Sequence, residues 1–138
     1  MSFFMPIRIL PEGTVYFTDL ASVQDFTDWL VEFEALLNVH QSSLFATICA
    51  PMRLPKSDEQ RIVDRKTYFA WIRKHQPQLA EHCVAMLLIE PDLPQLDLMR
   101  EQSSKLADSL GVNYIVEADE TAALASAEIA LKQAFLAA

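Results

Sequence analysis

Glycine is scarce in this chain, with only Gly13 and Gly111 among 138 residues. A loop that cradles phosphate through backbone N–H groups needs glycine where a strand passes into a helix. Neither glycine opens a helix after a parallel strand in the predicted order of elements. The sequence therefore excludes nucleotide binding through a glycine-rich phosphate loop.

Cysteine is equally sparse. Cys49 and Cys83 both lie in apolar runs, where a free thiol behaves as a small hydrophobe, and they are too far apart for a thioredoxin-like pair. His75, His82 and Cys83 match no common zinc spacing and lack a fourth ligand, so we interpret both histidines as solvent-facing. The sequence predicts no metal site, no cofactor and no catalytic residue.

Positive charge is also in short supply. Eleven Lys and Arg stand against 19 Asp and Glu, a formal net charge of -8. Such a surface repels phosphate backbones and anionic lipid heads, which argues against nucleic acid as a partner.

Long apolar runs are missing as well, and none approaches the ~20 residues of a membrane span. Pro6 and Arg8 interrupt the first apolar cluster, so the N-terminal segment does not have the order of a signal peptide. We expect a cytoplasmic protein with no membrane span.

What the chain does contain is apolar content, 51% of its residues against 22% charged. This is the composition of a folded globular protein, and the length falls within the ~100 to 150 residues of the commonest domains. We expect residues 1–138 to form a single domain.

Apolar periodicity and turn residues predict nine elements. Helix starts are indicated by Ser22 and by Ser57, the latter with Gln60 in the pattern of a capping box, while Pro77 and Gly111 indicate helix ends. The predicted elements are strands 7–10 and 14–17, a helix from 22 to about 38, strand 44–50, a helix from 57 to about 76, strand 84–89, a helix from 91–94 to 111, strand 112–116 and a helix from about 119–121 to the end. A loop at 51–56 connects strand 44–50 to the second helix.

The predicted order is ββαβαβαβα, which defines an α/β fold. Strands that alternate with helices imply parallel neighbours, and only the N-terminal hairpin is expected to be antiparallel. We therefore expect a five-stranded mixed sheet with four helices packed against it.

This order resembles the STAS domain of bacterial anti-sigma-factor antagonists and the wider SpoIIAA-like group of small stand-alone bacterial proteins. The likeness is most suggestive at residues 44–71, with an apolar strand, a proline-bearing loop, the run Ser57-Asp58-Glu59-Gln60-Arg61 and a helix with an aromatic pair. The resemblance implies a regulatory domain that docks on a partner, in some members switched by phosphorylation near the position of Ser57. It also suggests an apolar-ligand site, which the sequence does not locate.

Ser57 itself allows two interpretations. As an N-cap, its hydroxyl accepts from an otherwise unpaired backbone N–H. As a phosphoacceptor, it would follow the resemblance, although Lys56-Ser57-Asp58-Glu59 departs from the expected Asp, then Ser or Thr, then Gly.

Basic residues concentrate in one stretch of the chain. Residues 53–75 hold seven Lys and Arg, including Arg53, against three Asp and Glu, a formal +4, and the remainder carries -12. One interpretation is a solvated helix with ion pairs one turn apart, and the other is a docking surface for an acidic partner.

The second predicted helix is apolar on more than one side. At 100° per residue Ile62, Phe69 and Ile72 cluster, whereas Trp71 falls about 180° from Ile62. Either another element of the chain covers Trp71, or Trp71 and Tyr68 form a two-fold contact between copies. The basic rim of that contact would be Arg61, Arg65 and Lys74.

These observations predict a non-enzymatic regulatory or protein-interaction domain that docks through the second helix and its preceding loop. The alternative is a carrier or sensor that binds a small apolar ligand or lipid between the sheet and a helix.

Overall fold

The computed structural model describes residues 2–51 and 56–137. The strands are β1 (Phe4–Leu10), β2 (Gly13–Asp19), β3 (Phe45–Ala50), β4 (Cys83–Ile89) and β5 (Tyr114–Glu117). The α-helices are α1 (Phe26–Val39), α2 (Asp58–His82), α3 (Leu93–Leu110) and α4 (Glu120–Ala137), and a short 3₁₀ helix, Leu20–Ser22, follows β2. The predicted loop at 51–56, with Arg53, falls mostly on residues 52–55, outside the described residues.

The sheet has the strand order β1-β2-β3-β4-β5. β1 and β2 are antiparallel, and every later neighbour is parallel. The predicted α/β class, the mixed five-stranded sheet and the four helices are therefore confirmed. Pro6 lies in the edge strand β1, which suits a residue that cannot donate to a sheet ladder. The register of β1 with β2 shifts between Pro6 and Arg8.

The two faces of the sheet carry different cores. On the first, which we call the α1–α3 face, side chains from α1, α2 and α3 pack on the strands around a group of aromatic rings. On the second, the α4 face, Ala123, Ala127 and Leu131 of α4 pack on Ala and branched side chains of β2, β3 and β4. Such burial on both faces explains why β3 and β4 read as continuous apolar runs.

α1 begins later than predicted, and the assignment of its N-cap to Ser22 is wrong. The Asp19 carboxylate accepts from the N–H of Ala21 and starts the 3₁₀ helix that ends at Ser22. Val23 follows in an extended conformation, and the Asp25 carboxylate then accepts from the N–H of Thr27 at 2.9 Å. Two Asp caps in sequence thus start two separate helices, and the predicted helix began at Ser22, where the 3₁₀ helix ends, rather than after Asp25.

α2 also ends later than predicted, because it continues through Pro77 to His82. A proline inside a helix removes one backbone hydrogen bond, which favours an end at Gln76. His75 and Leu79 lie one turn apart on the buried side of α2, and their burial anchors the turn that contains Pro77. Packing therefore outweighs the local penalty.

The end of α3 agrees with its predicted signal. Gly111 has φ 70°, in the left-handed region, and its N–H donates to the carbonyl of Ala107 at 2.8 Å. Glycine suits this cap because a Cβ would be strained at positive φ.

Within residues 2–51 and 56–137, none of the helices combines the length and the apolar character needed to cross a bilayer.

Candidate functional site

A cavity of about 430 Å³ lies between the sheet and α1, α2 and α3. Its aromatic lining comes from Phe26, Trp29, Tyr68, Phe69 and Tyr114. Its other apolar lining comes from Leu20, Cys49, Met86, Leu88 and Leu106, and its polar lining from Asp64, Arg65 and Gln102. The volume is within the roughly 300 to 1,000 Å³ of small-molecule sites, which are mostly apolar with a few polar groups.

The wall formed by α1 is a stack of rings. Phe26 and Trp29 stack with centroids 5.3 Å apart, and Phe26 contacts the ring of Tyr68 across the cavity at 6.1 Å. The indole N–H of Trp29 donates to Thr18 Oγ1 at 2.9 Å, which satisfies the only polar atom of that ring. This bond to β2 holds the wall in place.

Two tyrosines meet at the sheet side of the cavity. The hydroxyls of Tyr68 on α2 and Tyr114 on β5 are 2.6 Å apart and hydrogen-bonded. Burial raises the pKa of Tyr114 to about 12 and the pKa of Tyr68 well above its usual range. The Tyr114 hydroxyl raises the pKa of Tyr68 further, whereas the hydrogen bond with Tyr68 partly offsets the rise in the pKa of Tyr114. Both side chains are therefore neutral hydroxyls at physiological pH.

The thiols on this face are buried and protonated. Burial raises the pKa of Cys49, at the end of β3, to about 12, and it raises the pKa of Cys83 further. A thiol becomes a nucleophile or a metal ligand as the thiolate, so neither cysteine is activated. The predicted burial of both is confirmed.

Charged groups lie at the α2 side of the cavity. Lys56 Nζ donates to Asp64 Oδ2 at 2.8 Å, and both side chains are largely shielded from solvent. Lys56 also lies 5.9 Å from the centroid of Phe26, and the Arg65 guanidinium is 5.2 Å from the centroid of Phe69. The cationic groups of Lys56 and Arg65 are thus stabilised beside an apolar cavity, because each faces an aromatic ring and packs its aliphatic stem on apolar surface.

Ser57 is the N-cap of α2, with its Oγ accepting from the N–H of Gln60 at 3.2 Å. It is solvent-exposed, and Asp58 and Glu59 follow it in the first turn. The cap fixes the start of the helix that carries four of the lining side chains.

The aromatic side chains predicted for a contact between copies are directed inward. The Trp71 ring lies 4.8 Å from that of Phe33 on α1, so α1 covers it, which is the intramolecular alternative. Tyr68 is bonded to Tyr114 inside the fold and does not stand on an outer face.

Ile62, which the sequence groups with Phe69 and Ile72 on one side of α2, is 55% exposed. Apart from the partly buried Asp64, residues 58–67 of α2 are exposed, so the buried side of the helix begins only at Tyr68.

The predicted basic rim remains on the surface. Arg61, Arg65 and Lys74 are exposed along α2, beside the exposed Ile62 and Val63. Two of these basic side chains still lie near the rings: Arg65 lines the cavity with Tyr68, and Lys74 lines a surface pocket with the partly buried Trp71.

The two histidines of α2 are not solvent-facing, contrary to the sequence interpretation. His75 is 7% exposed, with its ring 4.5 Å from that of Trp71 and its Nε2 3.9 Å from Glu34 Oε1. His82 is half-buried, and its Nδ1 lies 3.2 Å from the carbonyl oxygen of Ser43. In the described ranges no group of three His, Cys, Asp or Glu side chains is arranged to hold a metal ion.

A second polar cluster lies at the other edge of the sheet. His40, which caps the end of α1, has Nε2 2.7 Å from the Tyr16 hydroxyl and Nδ1 2.7 Å from Ser43 Oγ. Burial lowers the pKa of His40, with a smaller effect from His82, which favours the neutral ring. These bonds tie α1 to β2 and to the turn before β3, and we assign them a structural role.

Most of the cavity residues were not identified as a site from the sequence. The sequence predicts Tyr68 in a contact between copies and assigns no functional role to Phe26. The signal in the sequence is the concentration of aromatic residues in the first half of α1 and the middle of α2, since large rings dominate the contacts between packed elements.

Comparisons of the chain with protein-family models, with curated proteins and with solved structures give no match.

Proposed function

We propose that this protein binds a small apolar ligand in the cavity between the sheet and α1, α2 and α3. The observation that carries the proposal is the cavity itself, with ten of its 13 lining side chains aromatic, aliphatic or sulfur-containing. Filling such a space removes apolar surface of both ligand and protein from water, which is the main source of affinity at sites of this kind.

The size of the cavity limits the ligand. If each heavy atom takes the about 30 Å³ that a water molecule occupies in the liquid, about 430 Å³ holds roughly 14 heavy atoms. This suits a compact aromatic molecule or a short alkyl chain, and not a whole phospholipid.

The proposed activity is binding without catalysis. The chemistry of the lining groups supports this, because burial holds Cys49, Tyr68 and Tyr114 in their protonated forms. Asp64, the one lining carboxylate, is already paired with Lys56. A carrier or a sensor needs no more than this.

Native mass spectrometry of freshly purified protein tests the proposal. We expect a retained adduct of small-molecule mass on the wild-type chain, and its loss from Leu106→Trp, which fills the cavity. Leu98→Trp is the matched control, because Leu98 lies on the same helix but is 48% exposed. The absence of any adduct, or its persistence in Leu106→Trp, would contradict the proposal.

We further propose that the chain is a STAS-like, SpoIIAA-like cytoplasmic protein of bacterial type, with the cavity as its regulatory input. The support is the shared order of elements: an antiparallel hairpin followed by three strand-helix crossovers. α2 carries Tyr68 and Phe69 in the cavity lining and the basic rim on its exposed side. A ligand that displaces Tyr68 or Phe69 therefore also displaces the basic side chains on the same helix.

A second candidate function is docking of an acidic protein surface on α2, and a specific observation favours it. Ile62 and Val63 are 55% and 56% exposed beside Arg65 and Lys66, a combination of apolar and basic contacts suited to an acidic, partly apolar partner. A second copy of this chain supplies one such partner, since residues outside 53–75 carry -12. The expected assembly is then a salt-sensitive homodimer.

Sedimentation velocity at micromolar concentrations tests this second candidate. Self-association should weaken at high salt and be lost in Arg65→Glu/Lys66→Glu, while Lys132→Glu on α4 should leave it unchanged. A wild-type chain that stays monomeric throughout would eliminate the homodimer.

Phosphorylation of Ser57 is the remaining regulatory proposal. A phosphate there would meet the N-terminal N–H groups of α2 and come within reach of Arg61 one turn on. Phosphopeptide mapping of protein from its native cell should find Ser57 modified. A fully unmodified Ser57 under all growth conditions would leave only its capping role.

A further inference from the structure

The Tyr68 and Tyr114 pair has one more proton to donate than the pair itself uses. Two neutral hydroxyls carry two O–H groups, and the 2.6 Å contact between them uses one. Among the described residues, neither hydroxyl has a further hydrogen-bond partner. The second O–H is therefore a buried donor without an acceptor from the protein.

Both tyrosines line the cavity, so the cavity is where that acceptor can be supplied. Tyr114 is 9% exposed, and the raised pKa of each hydroxyl keeps the donor protonated. Buried donors in native proteins are nearly always satisfied, which makes an unpaired one informative about what binds beside it. A hydroxyl that already accepts one hydrogen bond is also a stronger donor.

We infer that the ligand carries an uncharged hydrogen-bond acceptor, such as a ketone or aldehyde oxygen, which receives the spare proton of the Tyr68–Tyr114 pair while its apolar body lies among the aromatic rings. This inference rests on the proposed function and specifies its ligand class. It makes both tyrosines specificity residues of the cavity.

The acceptor is uncharged because no charged side chain among the described residues bonds either hydroxyl. The charged lining residues are Asp64, which is paired with Lys56, and Arg65, whose guanidinium lies 5.2 Å from the centroid of the Phe69 ring. A carboxylate placed beside two neutral hydroxyls would lose its hydration without bonding a counter-charge there. A carbonyl oxygen loses much less.

A matched pair of probes tests this inference. 2-Acetylnaphthalene has a carbonyl oxygen, and 2-ethylnaphthalene has nearly the same shape without it. Their dissociation constants are measured by the change in Trp29 emission, with Trp71 replaced by Phe to leave one indole. We expect the ketone to bind about tenfold more tightly, as one hydrogen bond from a buried donor allows.

The double variant Tyr68→Phe/Tyr114→Phe should lose the preference for the ketone, because it removes both donors and retains both rings. The ketone oxygen then leaves water without a new partner, so the hydrocarbon should bind at least as tightly. Each single variant keeps one hydroxyl and should keep part of the preference, which guards against a folding defect in the double variant. Equal binding of the probes to the wild-type chain, or a preference that survives in the double variant, would overturn the inference but leave the proposed function standing. Failure of both probes to bind would overturn both.

Discussion

The two faces of the sheet are built from different side chains. On the α4 face, Ala46, Ala85, Ala123 and Ala127 are fully buried, so small side chains form the contact between the helix and the strands. On the α1–α3 face, stacked rings such as Phe26 and Trp29 form one wall of the cavity. The comparison shows that one sheet supports a face packed with small side chains and a face with a cavity, for which we propose ligand binding.

The largest expected difference between the faces is in their response to alkaline pH. Cys49, Cys83, Tyr68 and Tyr114, whose pKa values are raised by burial, all belong to the α1–α3 face. The unfolded chain loses these protons near the ordinary values of 9.0 and 10.0, before the folded chain does. Their stabilisation is therefore complete below about pH 9 and is lost as pH rises toward 12.

Urea unfolding at several pH values measures this loss, which should approach about 1.4 kcal/mol per pH unit for each group that titrates. Tyr68→Phe/Tyr114→Phe should flatten the dependence above pH 10. A free energy of unfolding that is constant between pH 9 and pH 12 would contradict the buried placement of these groups.

The next effect comes from neighbouring leucines of β4 that point to opposite faces. Leu87 is 0% exposed on the α4 face, whereas Leu88 is half-buried and lines the cavity. Leu87→Ala should cost about 3 kcal/mol of unfolding free energy, and Leu88→Ala about 1 kcal/mol, because part of the Leu88 surroundings is already empty. Chemical denaturation of the two variants checks the order, and equal losses would show that the faces are packed alike.

Enlarging a side chain reverses the test. Ala127→Leu on the α4 face should destabilise the protein by about 2 kcal/mol, since a close-packed core must shift to admit the added carbons. Leu106→Phe on the other face extends into the cavity and should change stability by less than about 0.5 kcal/mol. Thermal unfolding of both variants measures these changes. A larger loss of stability for Leu106→Phe than for Ala127→Leu would contradict the difference in packing between the two faces.

The smallest effect concerns two helix caps. Ser57 caps α2 through Gln60, and Asp119 caps α4 through the N–H of Ala122 at 2.8 Å. Ser57→Ala and Asp119→Ala should each cost about 1 kcal/mol of stability. Only Ser57→Ala should also weaken binding of 2-acetylnaphthalene, because α2 is a wall of the cavity and α4 is not. Equal affinities of the two variants would contradict this link between the cap of α2 and the cavity.

The order of elements could be predicted from the sequence because its signals are local. The apolar runs of β3 and β4 and the caps at Ser57 and Gly111 each act within a few residues. The continuation of α2 through Pro77 could not, since it depends on the burial of Leu79 against the sheet.

The cavity could not be predicted for a similar reason. Its walls meet through ring contacts between residues far apart in the sequence, such as Phe26 with Tyr68. The same limit applied to Trp71, whose covering by Phe33 is a contact between helices. Periodicity gave the side chain a direction around α2 but did not identify the neighbour.

The most direct test of ligand binding on the α1–α3 face is a methyl NMR titration of the protein with 2-acetylnaphthalene. We expect the methyl signals of Met86, Leu88 and Leu106 to shift, while those of Leu87 and Leu131 on the α4 face do not. Shifts that are larger at Leu87 and Leu131, or absent at all five residues under saturating probe, would contradict ligand binding on the α1–α3 face.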